Sequence, residues 1–315
     1  MRGRVADIAE VRQGPVSRLP TCLSIRLSTL FWPWLILALP QAALAADGGF
    51  ERGLLFRVQP PGGGTPSYLF GTIHSEDPRV VDVPASVQRA FDRSRVLALE
   101  VVPDAQASAA SVAAMTFDDG RSLFDLLPAD VYHASIAALG ARGLPDSVAR
   151  VFKPWAVMTL LSMPEPKTGR FLDMVLYRKA LAAGKPVVGV ETMDEQLAVL
   201  EGLTVADQVA LLRETLALLP QMPELFESLI DAYERRDLAM LMTLGDSYLL
   251  SAEPAVADRF RDALLDARNA RMARRVLPMV EEGGYFIAVG ALHLPGPDGL
   301  LNRLVGAEFG IETIF

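Results

Sequence analysis

Cysteine is nearly absent from this 315-residue chain, the single thiol being Cys22. Beyond it no disulfide framework, cysteine nucleophile or cysteine-type metal site can be built. Histidine is almost as scarce, with only His74, His133 and His293. There is no Gly-x-Ser-x-Gly elbow, phosphate-binding loop, His-Glu-x-x-His pair or dinucleotide fingerprint, so serine-hydrolase and nucleotide-binding readings lack support. Positive charge is in deficit, 30 Lys and Arg against 38 Asp and Glu, for a formal charge of −8. Setting aside residues 1–45, which hold five arginines and two acids, deepens it to −11. That balance makes nucleic acid a poor partner. After residue 45 the longest apolar stretch, Trp155 to Met163, falls well short of the ~20 residues a membrane-spanning helix needs.

What is present begins with an asymmetric N-terminus. Arg2, Arg4, Arg12, Arg18 and Arg26 precede the apolar run Leu27 to Pro40, and small residues come next, ending Ala43-Leu44-Ala45. Basic, apolar and Ala-x-Ala in that order is the pattern of a cleavable export signal. It predicts a signal peptide over 1–45, cleavage before Ala46 and a periplasmic or secreted product, with an uncleaved anchor as the alternative. Residues 46–315 suit a single α/β domain.

Within that domain, Leu54 to Val58 and Tyr68 to Ile73 read as an antiparallel hairpin closed through Pro60-Pro61-Gly62-Gly63-Gly64. Helical spacing over Pro84 to Ser94 leads into a buried strand within Arg95 to Val102. From about Ala105 to Leu181 the chain reads as helix, interrupted at Gly120, Pro128, Gly143, Pro154 and a Pro164-Glu165-Pro166 corner. Lys185 to Val190 is a short strand, and Thr192 with Glu195 forms a capping box that opens the next helix. Helices dominate again until Glu282. A strand at Tyr285 to Val289, a helix at Gly299 to Val305 and a strand at Ile311 to Phe315 finish the domain. The expected fold is a mixed central sheet, built from N- and C-terminal strand–helix–strand units, with a large helical insertion. The two end units look alike, each closing on a strand with an acid, Glu100 or Glu312, as a duplicated module would.

Two of the three histidines stand three residues after a glycine at the end of an apolar strand, in Gly71-Thr72-Ile73-His74 and Gly290-Ala291-Leu292-His293. The carboxyl ends of parallel strands form the crevice where α/β proteins bind ligands, so both imidazoles are expected at a site. The glycines are expected to admit close packing behind the histidines rather than to touch a ligand. Glu100 ends another apolar strand, where a carboxylate must be paired, hydrogen-bonded or metal-bound. If its strand lies beside that of His74, two imidazoles and a carboxylate form an N,N,O site suited to Zn, Mn, Co or Fe and able to activate water. Glu191, after Val187-Val188-Gly189-Val190, is a further ligand, a general base, or an acid placed for the helix that begins just beyond it. Arg268 and Asn269, sharing a helix face with Met272, are candidates for binding substrate or holding a carboxylate. His133, between Tyr132 and Ala134, has no ligand-like context.

These segments together resemble the TraB/GumN family, related to the Tiki metalloproteases and more distantly to the erythromycin esterases and ChaN-type haem-binding lipoproteins. The resemblance is carried, in order, by LFGTIHSEDP (69–78), the Glu100 strand, KPW (153–155), an Asp173 helix, GKPVVGVETMDEQL (184–197), RNARM (268–272) and VGALHLPGPDGLL (289–301). It implies a mixed α/β fold, a common site holding His74, Glu100 and His293 with Arg268 and Asn269 in support, and, for the Tiki branch, a protease using manganese or cobalt. Phe171-Leu172 before Asp173 departs from the pattern, which has a glycine there. Two functions arise as expectations: an exported metal-dependent peptidase, or a non-catalytic periplasmic protein that binds peptide, haem or metal.

Overall fold

The structure, a computed structural model, describes residues 50–165, 167–247 and 253–315. The expected export signal with Cys22, and Pro166 of the expected corner, lie outside those residues. Among the described residues six strands form one mixed sheet. They are β1 (Leu55–Gln59), β2 (Ser67–Thr72), β3 (Val96–Leu99), β4 (Val187–Gly189), β5 (Tyr285–Gly290) and β6 (Gly310–Thr313). Their order across the sheet is β4-β3-β5-β2-β1-β6. β4, β3, β5 and β2 run parallel, while β1 is antiparallel to both β2 and β6.

Sequence chemistry explains the layout. The turn-forming Pro60–Gly64 segment returns the chain onto itself, pairing Leu55 with Phe70 and Val58 with Ser67. β2 is buried along its whole length and β5 along most of it, as expected for parallel strands covered on both faces. Phe286 of β5 meets Phe70 and Phe91, with ring centroids 5.7 and 5.6 Å apart, and so ties the sheet to the Ala85–Arg93 helix. Strand order corrects one expectation. β5 lies between β2 and β3, so the Glu100 strand adjoins that of His293 and not that of His74. The end modules are also not equivalent in space. Glu312 sits at the far edge of the sheet, paired with Arg57 at 3.2 Å.

Helices fill the chain between β3 and β4 and again between β4 and β5. Two apolar cores result. One surrounds the sheet, and the other, including Leu123, Leu139, Val157, Leu161, Leu211, Leu212 and Phe260, lies wholly among helices from both insertions. Among the described residues no helix is long and apolar enough to cross a membrane.

The long helix Ala267–Glu282 carries two of the expected site residues. It buries Arg268, Asn269, Met272, Ala273, Val276 and Val280, a helical stripe that includes the expected Arg268, Asn269 and Met272 face. A π-turn over Asp262–Asp266 immediately precedes it, an irregularity that often accompanies functional positions. Its Arg275 donates 2.7 Å hydrogen bonds to both oxygens of Glu195, which also completes the predicted capping box with Thr192. Arg275 therefore joins this helix to the one that begins beyond β4.

Arg275, followed by the Thr192 backbone amide, holds the Glu195 carboxyl at about 2 instead of its ordinary 4.5. Stability from this pair is complete above pH 4.5 and drains away as the pH falls toward 2. Glu195→Gln should lower unfolding free energy by about 1 kcal/mol at pH 7, with the difference closing at pH 2. Urea melts of both proteins across that range would check this, and a pH-independent difference would contradict it.

Candidate functional site

β2, β3 and β5 end on one side of the sheet, and His74, Glu100 and His293 come directly after them. A cavity of about 560 Å³ opens there, lined by His74, Glu100, Asp173, Arg268, Gly290 and His293 among others. Another cavity of that volume, at the sheet edge beside Arg57 and Glu312, contains none of these groups.

The turn Ala291–His293 breaks away from β5 and turns His293 inward, leaving only 4% of it exposed. Its Nδ1–H donates to Asn269 Oδ1 at 2.7 Å, which leaves Nε2 as the unprotonated nitrogen, 3.7 Å from Glu100 Oε1. Burial pushes its pKa down to about 4 despite the neighbouring Glu100, so the ring is neutral at physiological pH. His74 has the opposite setting. Its side chain is 58% exposed, stacks on Phe171 with centroids 4.7 Å apart, and brings Nδ1 to 3.5 Å from Asp173 Oδ2. The Asp173 hydrogen bond raises its pKa against the opposing effect of burial. Asp173 is itself held by the Thr72 hydroxyl, which donates at 3.1 Å.

Glu100 is fixed from three directions. Oε1 accepts from the Gly290 amide, and Oε2 accepts from Arg268 at 2.9 Å and Gln196 at 3.0 Å. Burial opposes its ionisation, yet His293, Arg268 and the Gly290 amide together hold its pKa below the ordinary carboxylate value. Gly290 thus bears on the site through its amide, and a Cβ there would stand 3.0 Å from Glu100 Oε1. Gly71 conforms to expectation. A Cβ at that position would meet Leu294 Cδ1 at 2.8 Å and Ala291 Cα at 3.1 Å, behind the turn that carries His293.

Glu191 lies beneath the cavity. Its carboxylate has no exposed surface, and each oxygen is gripped by a guanidinium, Arg268 at 2.6 and 2.9 Å and Arg271 at 2.6 and 3.1 Å. This geometry suits an anchor for Arg268 rather than a proton acceptor facing substrate. His133 is exposed on its helix and touches the neighbouring Tyr132 ring.

Sequence reasoning did not single out Gln196, Arg271, Thr72 or Glu76, and it left Asp173 without a partner. Glu76 accepts from the backbone amides of Lys167, Thr168 and Arg170, clasping the segment that leads to Phe171 and Asp173. The loops on either side of His74's ring are therefore tied together.

The same residues fall inside a known family's boundaries. The model of the TraB/PrgY/gumN family matches residues 54–313. The chain belongs to that family. The TraB/PrgY/gumN match takes in every strand of the sheet and every cavity-lining residue, from Thr72 to His293. Among curated proteins, the metalloprotease TIKI1 of Xenopus tropicalis is 27% identical over 302 residues, covering 79% of this chain and 59% of that protein. TIKI1 of Homo sapiens is 27% identical over 300 residues, with coverages of 78% and 59%. TIKI2 of Danio rerio is 28% identical over 315 residues, with 83% and 61%. The chain thus spans about three fifths of the length of these relatives. No solved structure matches significantly.

Two substitutions probe the site's framework. Glu191→Gln would leave the buried Arg268 and the partly buried Arg271 without a full counter-charge and should cost about 3–5 kcal/mol in chemical unfolding. Gly71→Ala should cost about 1–3 kcal/mol through overpacking against Leu294. A neutral Glu191→Gln would show that the clasp is not what holds this helix, and a neutral Gly71→Ala would show that the turn behind β2 can yield.

Proposed function

We propose that this TraB/PrgY/gumN member is an exported metal-dependent hydrolase acting on peptide bonds, with His74, Glu100 and His293 as the donors for a divalent cation. The carrying observation is that His293 Nδ1 is committed to Asn269 Oδ1 at 2.7 Å and His74 Nδ1 faces Asp173 Oδ2 at 3.5 Å, so that Nε2 is the nitrogen left to coordinate on each. This oxygen–imidazole pairing is how metal-ligating histidines are oriented. The metalloprotease names of the TIKI relatives support the same reading.

The donor chemistry fits a cation, while the arrangement is not a ready-made cluster: among the described residues no three His, Asp or Glu side chains gather as a metal-holding group. The strand order accounts for that, since β5 separates the strands of His74 and Glu100. A bound manganese, cobalt, zinc or iron would polarise a peptide carbonyl and activate a water.

The remaining roles fall to protein groups. Asn269 and Asp173 orient the rings. Arg268 keeps Glu100 ionised and, lining the cavity, supplies a fixed positive charge for a carbonyl oxygen as it gains negative charge. Glu191 and Arg271 hold Arg268 in place. The Asp173 carboxylate, itself held by the Thr72 hydroxyl, sits beside the His74 ring at the cavity mouth.

Purified protein beginning at Ala46 should cleave members of a peptide library when supplied with manganese or cobalt, and chelation should abolish cleavage. His74→Ala and His293→Ala should each reduce kcat/KM at least 100-fold while retaining native circular dichroism. Full activity in either variant would overturn the assignment. A peptide, haem or metal that binds without any product would replace it with a sequestering role.

A further inference from the structure

The two apolar cores do not merge, and along their seam runs a groove of about 490 Å³ whose lining is almost entirely apolar. Its volume is that of a ligand site rather than a packing defect. Leu229, Leu264, Leu265 and Leu292 line both this groove and the His74–Glu100–His293 cavity, so the two spaces adjoin through shared walls. The motif itself makes the junction: in Gly290-Ala291-Leu292-His293 one tight turn places His293 on the site and Leu292 on the wall common to both. Further from the site, Phe226 and Met242 are only half-buried, although both belong to otherwise well-packed helices. Apolar side chains left against water in a concave wall represent unrealised burial, worth about 25 cal/mol per Å² to whatever covers them. Methionine suits such a wall because its unbranched thioether adapts to differently shaped partners.

We infer that this groove is a substrate subsite that takes bulky apolar side chains, leucine, phenylalanine or methionine, of a peptide whose scissile bond lies over the histidine cavity. The inference rests on the hydrolase reading and adds a substrate class to it: extended peptides with an apolar cluster on one side of the cleaved bond. An extended peptide advances ~3.3 Å per residue, so a few residues beyond the site suffice to reach from one space into the next. The occupant is a peptide side chain rather than a free acyl chain because the groove opens onto a polar cavity whose lining, including His74, Glu100 and Arg268, suits peptide groups.

The test separates this inference from hydrolysis itself. A fluorophore-labelled nonapeptide containing Leu-Phe-Leu should bind the metal-loaded protein at least tenfold more tightly than the same peptide with Ser-Gly-Ser. Met242→Asp and Phe226→Ser, each checked for native circular dichroism, should erase that preference, whereas His293→Ala should keep it. Under cleavage conditions kcat/KM should show the same tenfold preference, lost in the two groove variants while the Ser-Gly-Ser peptide is cut as before. Binding preference without cleavage supports the groove and sinks the hydrolase reading. Cleavage with no apolar preference, or a preference unchanged in both groove variants, overturns the groove. Dodecanoate displacing the Leu-Phe-Leu peptide at a lower concentration than the unlabelled peptide itself also overturns it, by making an acyl chain the occupant.

Discussion

A carboxylate with no exposed surface must be paired inside the fold, and Glu191 is paired with both Arg268 and Arg271. The rest of the site depends on this clasp. It fixes the start of the Ala267–Glu282 helix against the end of β4, and Arg275 repeats the attachment two turns further on at Glu195. With Arg268 fixed, Glu100 is fixed; with Glu100 fixed, the Gly290 amide is engaged and the turn bearing His293 is set. Asn269, one residue from Arg268, orients the His293 ring. One helix end therefore controls both a charge and an imidazole. Groups this deeply paired do not relax to accommodate a lost partner, which is the physical reason the network is brittle.

The histidines illustrate how environment separates two identical side chains. His293 is buried beside a carbonyl acceptor and stays neutral, whereas His74 is exposed beside a carboxylate and gains affinity for a proton. The two rings therefore reach the same cavity from different surroundings, one buried against an amide oxygen and one at the mouth against a carboxylate. Pairs whose environments drive their protonation apart are characteristic of sites that perform chemistry.

Much of this was legible in the sequence because local patterns determine it. Apolar runs bounded by proline and glycine located all six strands, the Thr192–Glu195 spacing marked a helix start, and the repeated Gly-x-x-His placed both histidines at strand ends. What could not be read is long-range. Nothing local says that β5 inserts between β2 and β3, so which strand adjoins that of Glu100 stayed a condition in the sequence, and the condition of a His74 neighbour is not met. Glu191 looked like a free acid because its partners stand 77 and 80 positions further along. Asp173 lacked a partner for the same reason, its contact to Thr72 crossing 101 positions. Gly290 was read only as admitting close packing, and nothing local showed that its amide and the space above it are taken by Glu100.

Strand β5 is made late and sits in the middle. Until Tyr285–Gly290 emerges during synthesis, β2 and β3 have no common neighbour, and a nascent chain carries His74 and Glu100 with neither His293 nor the Gly290 amide to meet them. The sheet is therefore finished by insertion rather than by growth at an edge, a slow kind of closure because its contacts join distant parts of the chain. The same topology sets an order of assembly: a chain made only as far as β4 has half a site, and the rest arrives with β5 and the turn that follows it.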